Sequence, residues 1–213
     1  MFHLGADTTK YRKLSAAHVA TVTIDGENYL RVSDEAISLL TREAFADVSH
    51  FLRASHLAKL GAILKDDEAS DNDRFVATEL LKNAVVAAKG ILPSCQDTGT
   101  AIIMGKRGHR VLCSGSEASV ITEAVRRVYT ERNLRYSQLA PLSMFEERNT
   151  KDNTPAQIDL LADTGEAYKF LFMAKGGGSA NKTYLYQKTK ALLNEESLTR
   201  FVEEKLKSLG TAA

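Results

Sequence analysis

A cysteine, an amide and a carboxylate stand next to one another in residues 92–100, which read Leu-Pro-Ser-Cys-Gln-Asp-Thr-Gly-Thr. Cys95 could act as a metal ligand or as a nucleophile, and Gln96 and Asp97 could bind a polar substrate. A polar run between two apolar elements contributes little to packing, so it predicts the rim of an active site. A buried cysteine that packs as a small hydrophobic residue is the alternative.

A glycine-rich segment, residues 175–179, reads Lys-Gly-Gly-Gly-Ser. Consecutive glycines let main-chain N–H groups close around an anion, and Lys175 and Lys182 add positive charge. The spacing before the lysine is not that of a Walker nucleotide-binding motif. The segment therefore predicts either an anion-binding loop or a plain turn between two elements.

Arg135 lies in a polar loop, where its planar guanidinium could hold a carboxylate or remain solvated. Taken with the glycine segment, it suggests a site for a small dianion. Arg135, Lys182 and glycine amides would bind the anion, and Cys95 and Asp97 would do the chemistry.

A cysteine nucleophile needs a general base, and this chain has five histidines: His3, His18, His50, His56 and His109. His109 is the nearest to Cys95 in sequence. A Cys95–His109 hydrolase is therefore a further alternative, and it predicts unusually fast alkylation of Cys95.

Periodicity predicts the elements that position these residues. A helix over residues 73–89, with a stripe of Val76, Leu80, Ala84 and Ala87, ends at Lys89-Gly90, which is typical of a helix C-terminus. A buried strand at 101–104, a turn at 105–108 and a returning strand at 110–113 follow. Cys95 is thus expected between a helix end and a hairpin.

The remaining elements alternate without an internal repeat. They predict an α+β fold in which helices pack with antiparallel β-hairpins. Strands are expected at 19–24 and 29–32, around an Asp25-Gly26 turn, and at 158–162 and 168–174. A helix is expected from Ser33 or Asp34, with the apolar stripe Ile37, Leu40, Ala44 and Val48. Further helices are expected from about Ser55 and at 116–131, 184–193 and 196–209.

The 213 residues suffice for one large domain or two small ones, and 44% are hydrophobic. A net charge of +1 argues against nucleic acid or an anionic membrane surface as the main partner. Two cysteines and the lack of an apolar leader predict a cytoplasmic protein. No apolar run approaches the roughly 20 residues that cross a bilayer.

Three blocks, residues 92–101, 133–138 and 175–187, occur in the same order as in class I, iron–sulfur-dependent fumarate hydratases, which the chain closely resembles. The resemblance covers essentially the whole chain but well under half of a family member, at its N-terminal end. It implies the N-terminal part of the class I fumarase fold and of a hydro-lyase that converts fumarate reversibly to (S)-malate. Tartrate dehydratases share such motifs and are a sibling alternative.

The resemblance also implies a [4Fe–4S] cluster held by three cysteines, whose open iron acts on the substrate as a Lewis acid. Cys95 matches the first cluster ligand. Gln96 and Asp97 match substrate contacts, with Asp97 as the catalytic candidate for proton transfer at the hydroxyl, and Arg135 matches a bidentate carboxylate clamp. The wall around the substrate is expected from Gly178, Asn181, Lys182, Thr183 and Gln187.

One departure from the family pattern concerns the thiolates, because Cys113 is the only other cysteine and falls in no cluster motif. Residues 1–213 are therefore expected to form a cluster-side N-terminal domain, with the catalytic base and two cluster ligands in a C-terminal domain that this chain lacks. The chain alone is expected to hold no cluster and to be inactive. The family is dimeric, so a homodimer is expected for the full enzyme. A non-catalytic module that binds carboxylates or a partner chain is the remaining alternative.

Overall fold

The computed structural model describes residues 10–135, 137–178 and 183–209. These ranges contain five helices, eight strands and one 3₁₀ turn, so the predicted α+β class is confirmed. The helices are α1 (Asp34–His50), α2 (Ala54–Ile63), α3 (Asp71–Ala87), α4 (Glu117–Glu131) and α5 (Glu195–Leu209). The strands are β1 (Val19–Ile24), β2 (Glu27–Val32), β3 (Thr100–Gly108), β4 (Val111–Leu112), β5 (Leu139–Pro141), β6 (Glu147–Asn149), β7 (Gln157–Asp163) and β8 (Tyr168–Lys175).

The strands form three small sheets with the orders β1-β2-β4, β7-β3-β8 and β5-β6. Two pairs are antiparallel hairpins of consecutive strands, β1–β2 and β5–β6. β3 runs parallel to β7 and antiparallel to β8, and β4 pairs in parallel with β2. The described sheets are therefore more mixed than the expected set of antiparallel hairpins.

The predicted turn at 105–108 is wrong, because β3 continues through it to Gly108 and β4 leaves for another sheet. Gly105 is buried inside the strand, and a Cβ there would lie 2.7 Å from Leu160 Cδ2 on the neighbouring strand. This glycine permits close packing beside β7 and Phe170 rather than a reversal of the chain.

The hydrophobic core lies between α1, α4 and the inner face of the β7-β3-β8 sheet. Phe45 joins these layers, with its ring 5.8 Å from Tyr129 and 5.6 Å from Phe172. In the expected α1 stripe, Ile37 is buried and Leu40 and Ala44 are half-buried, but Val48 is exposed. The buried residues of this helix instead follow four-residue steps: Ile37, Thr41, Phe45 and Ser49, with His50.

α3 begins two residues before its predicted start, because Ser70 and Asp73 form a reciprocal capping box. Its buried positions are Ala77 and Ala87, whereas the expected stripe residues Val76 and Leu80 are exposed. The expected stripe is therefore right at its C-terminal end, where Ala84 is half-buried and Ala87 is buried, and wrong at Val76 and Leu80.

Residues 184–193 are not the expected helix, since only Lys190–Leu192 form a 3₁₀ turn. This segment lies beside α5, where the rings of Tyr186 and Phe201 meet edge to face at 5.3 Å. The β5–β6 hairpin was not predicted. Over the described part of the chain, every helix is too short or too polar to span a membrane.

Candidate active site

The loop that carries Cys95 is anchored at Ser94. The main-chain N–H and the hydroxyl of Ser94 both donate to the Ser49 carbonyl, over 2.8 and 3.2 Å. The Asn83 amide donates to the Ser94 carbonyl over 2.7 Å. Helices α1 and α3 therefore hold the residue that precedes Cys95, and the Cys95 thiol is exposed.

Gly99 brings this loop against the end of β8. Its φ is +75°, and a Cβ at this position would overlap the main-chain carbonyl of Lys175. A residue without a side chain is required for both reasons. Asn153, which is fully buried, donates from its amide to the Gly99 carbonyl over 3.1 Å.

Asp97 links three segments that are distant in sequence. Its Oδ1 accepts a hydrogen bond from Arg135 Nη1 over 2.9 Å, and its Oδ2 accepts one from the Gly177 N–H over 2.6 Å. A Cβ on Gly176 would lie 3.0 Å from Asp97 Oδ2, so the glycines allow the main chain to approach the carboxylate. The predicted aspartate, arginine and glycine loop therefore form one cluster.

Arg135 is oriented by more than Asp97. Its Nε donates to the Ser137 carbonyl over 2.7 Å, which uses the edge formed by Nε and Nη2. A bidentate carboxylate can then reach only the edge formed by Nη1 and Nη2. The side chains of Arg135 and Asp97 are 26% and 36% exposed, so this ion pair is open to a ligand.

The ion pair faces an open cleft lined by polar side chains together with Pro93 and Leu134. Gln96 lies on this cleft and is exposed. The complete lining is Pro93, Gln96, Asp97, Asn133, Leu134, Arg135 and Ser137. The arrangement can hold a small anion next to a fixed carboxylate, with Cys95 beside it.

The rest of the predicted wall is only partly placed. Gly178 follows Gly177 and is half-buried, and Thr183 and Gln187 are exposed. Asn181 and Lys182 lie outside the described residues. Sequence reasoning missed Thr98, Tyr129 and Ser137, whose contacts at the site depend on the fold.

The Cys95–His109 pair is not brought together. The whole of β3 lies between these residues, about 26 Å at ~3.3 Å per residue. At its far end, His109 Nδ1 accepts a hydrogen bond from the Gly165 N–H over 3.0 Å. The structure therefore gives Cys95 no histidine base from this position.

The described residues do not bring together the donors of a complete [4Fe–4S] cluster. Residues 10–135, 137–178 and 183–209 include no group of three or more histidine, cysteine or carboxylate side chains that could hold a metal ion. Cys113 follows β4 and lies near Glu117 and Arg107, and burial, followed by the Glu117 charge, raises the pKa of its thiol. Cys95 has an exposed thiol and could supply one ligand to such a group.

Comparison with known proteins agrees with the three motifs. The family model "Fumarate hydratase (Fumerase)" matches residues 38–213. The chain is 53% identical over 212 residues to "Fumarate hydratase class I, anaerobic" of Escherichia coli (strain K12), covering 100% of this chain and 39% of that protein. It is 55% identical over 207 residues to "Fumarate hydratase 2" of Leishmania major, covering 96% of this chain and 36% of that protein.

"L(+)-tartrate dehydratase subunit alpha" of Escherichia coli (strain K12) is a more distant relative, 28% identical over 158 residues, covering 70% of this chain and 50% of that protein. The chain spans less than two fifths of the length of the fumarate hydratases described above. The predicted resemblance is confirmed, and the chain belongs to the fumarate hydratase (fumerase) family.

Proposed function

We propose that this chain carries part of the dicarboxylate site of a hydro-lyase that adds water reversibly to fumarate to give (S)-malate. The observation that carries the proposal is the Asp97 carboxylate, which is fixed between the Arg135 guanidinium and the Gly177 amide beside the exposed Cys95. The 53–55% identity to fumarate hydratases supports the substrate class.

Arg135 would hold a substrate carboxylate at the edge formed by Nη1 and Nη2. Asp97 has acceptor positions beyond those taken by Arg135 and Gly177, because each carboxylate oxygen can accept two hydrogen bonds. One of them could accept a hydrogen bond from the attacking water and take up its proton as the carbon–oxygen bond forms. In the reverse reaction, Asp97 would return that proton to the departing hydroxyl. Gln96, at the rim of the cleft, could hydrogen-bond the second carboxylate. Gly178, Asn181, Lys182, Thr183 and Gln187 are proposed to complete the wall.

In the complete enzyme, Cys95 would give one thiolate to a [4Fe–4S] cluster, and a C-terminal domain would give the remaining ligands and the catalytic base. The free state of both cysteines is consistent with a cytoplasmic enzyme. A homodimer acting in the tricarboxylic acid cycle is proposed from family membership.

A chimera tests this function. This chain would replace the 212 matched residues of the anaerobic class I fumarate hydratase of Escherichia coli. We expect fumarate hydration by the anaerobically prepared chimera, and a loss of at least about 100-fold in kcat/KM for Asp97→Asn and for Arg135→Lys. Asp67→Asn, an exposed loop residue, is the matched control.

Two results would contradict the proposal. A folded chimera that holds its cluster and hydrates no fumarate would exclude this substrate, and preferential turnover of L-tartrate would favour the sibling function. The chain alone, reconstituted anaerobically with iron and sulfide, is expected to hold no stoichiometric cluster and to show no malate turnover.

A further inference from the structure

Thr98 directly follows Asp97 and is only 6% exposed. Its hydroxyl accepts a hydrogen bond from the main-chain N–H of Arg135 over 2.6 Å. Its carbonyl accepts one from the Tyr129 hydroxyl over 3.1 Å. Thr98 is therefore attached both to α4 and to the loop that carries Arg135.

Tyr129 provides a rigid support for Thr98. Its side chain is completely buried and packs against Phe45 in the core. Burial raises the pKa of Tyr129 far above its ordinary value, so its hydroxyl stays protonated and able to donate. Tyr129 therefore keeps the Thr98 carbonyl hydrogen-bonded to the core at neutral pH.

Arg135 meets the Asp97–Thr98 dipeptide at two points, because its guanidinium contacts the Asp97 carboxylate and its main-chain N–H contacts the Thr98 hydroxyl. The first contact is partly exposed, and such ion pairs alone define a geometry weakly. The second contact is partly buried, with its acceptor on the buried Thr98 side chain, and an N–H left unpaired there is costly. The Thr98 hydroxyl therefore restricts the position of the Arg135 main chain, from which the side chain extends to Asp97.

We propose that Thr98 is a positioning residue of the dicarboxylate site. Its hydroxyl fixes the main chain of Arg135, so that the guanidinium contacts Asp97 in one orientation. The Tyr129 hydroxyl, anchored in the core, fixes Thr98 through its carbonyl. The identity of the anion rests on the proposed function. The positioning itself does not, because it concerns contacts within this chain.

Two substitutions in the full 213-residue chain separate the hydroxyl from the shape of the residue. Thr98→Val keeps the shape and removes the acceptor, and Thr98→Ser retains the hydroxyl. The readouts are the ¹⁵N resonances of Arg135 Nε–H and of the Gly177 amide, and the Kd of fumarate measured by calorimetry. We expect Thr98→Val to shift or broaden both resonances and to weaken fumarate binding about tenfold, the effect of losing one partly buried hydrogen bond.

Thr98→Ser should restore both resonances and bring the Kd within about twofold of the original chain. Thr41→Val is the matched control, because Thr41 is also buried and its hydroxyl contacts no described hydrogen-bond partner. Thr41→Val should leave the Arg135 and Gly177 resonances unchanged. An equal perturbation by Thr41→Val would overturn the proposal, since the effect would then belong to the core in general.

Tyr129→Phe replaces Thr98→Val in this experiment if Thr98→Val fails to fold. It removes the hydrogen bond to the Thr98 carbonyl, and the phenylalanine ring can still pack on Phe45. It should shift the same two resonances in the same direction. Unchanged Arg135 and Gly177 resonances in a folded Thr98→Val, or in Tyr129→Phe as its substitute, would overturn the proposal. Failure of the unsubstituted chain to bind fumarate would contradict the proposed half-site, and the resonances would still decide the role of Thr98.

Discussion

The main-chain N–H of Gly177 donates to Asp97 Oδ2 over 2.6 Å, which joins the end of β8 to the turn before β3. Arg135 binds the other oxygen of the same carboxylate. Asp97 thereby places a negative charge next to the Nη1–Nη2 edge of Arg135, which is proposed to bind the dianion. The charge of Asp97 is therefore expected to repel a bound dianion in the site where the residue is proposed to act.

Asp97→Asn is therefore expected to strengthen fumarate binding by the isolated chain while it abolishes turnover in the chimera. Removal of the negative charge ends the repulsion between Asp97 and the dianion, and the asparagine carbonyl can still accept a hydrogen bond from Arg135. A gain of about 1 kcal/mol, roughly fivefold in Kd, is expected for a partly exposed ion pair. Calorimetric titration of fumarate into both proteins measures it.

Asp67→Asn provides the control for the change in net charge, because Asp67 lies in an exposed loop. It should leave the Kd unchanged at moderate ionic strength. Weaker binding by Asp97→Asn would show that the carboxylate organises the anion site rather than repelling the anion.

Two adjacent glycines provide a steric test of the same contact. A Cβ on Gly176 would lie 3.0 Å from Asp97 Oδ2, whereas a Cβ on Gly177 would lie 3.7 Å from the nearest atoms of Asp97 and Arg135. Gly176→Ala should displace the carboxylate and alter the fumarate Kd at least about threefold, and Gly177→Ala should be nearly neutral because its Cβ makes ordinary contacts. Equal effects of the two substitutions would contradict this geometry.

The sequence singled out Asp97, Arg135 and the glycine segment but not the contacts between them. The end of α3, at Ala87 and close to the predicted end at Lys89-Gly90, and the exposed Cys95 are local features that neighbouring residues indicate. Asp97 is 38 positions from Arg135 and 80 from Gly177, and no local pattern specifies such a pairing. Thr98 was missed for the same reason, because its partners are Tyr129 and the main chain of Arg135.

The errors in the fold have the same physical origin. Gly105 was interpreted as part of a turn, although it is a strand residue whose missing side chain makes room for Leu160 and Phe170. Both neighbours belong to strands far along the chain. The stripe of α3 predicted the helix correctly, but its first two residues, Val76 and Leu80, are exposed in the described chain, and its last residue, Ala87, is buried.

The two cysteines are expected to differ in their reaction with iodoacetamide. Cys95 is exposed, whereas Cys113 is half-buried and its thiol pKa is raised by burial and by the Glu117 carboxylate. The thiolate is the reactive species, so Cys95 should be alkylated at least about tenfold faster at pH 8. Mass spectrometry of peptides from a time course measures both rates, with Cys95→Ser as the control that leaves only the slow reaction. Faster labelling of Cys113 would contradict the exposure of Cys95.

Tyr168 carries a buried hydroxyl without a hydrogen-bond partner among the described residues. Tyr168→Phe removes this unsatisfied group, and we expect the free energy of unfolding at pH 7 to rise by about 1 kcal/mol. Urea unfolding followed by circular dichroism measures the change. The exposed Tyr184→Phe is the control and should stay within about 0.5 kcal/mol of the original chain.

The same substitution should change the response to alkali. Burial, followed by the Glu117 and Cys113 charges, raises the pKa of Tyr168 from 10.0 to about 12. Because the pKa of Tyr168 is higher in the folded state, the free energy of unfolding is unaffected by this group below pH 10 and falls as the pH rises towards 12. Tyr168→Phe lacks that fall, so its advantage in free energy of unfolding should widen between about pH 9.5 and about pH 11.5. A constant or shrinking advantage would show that the Tyr168 hydroxyl ionises equally well in the folded chain.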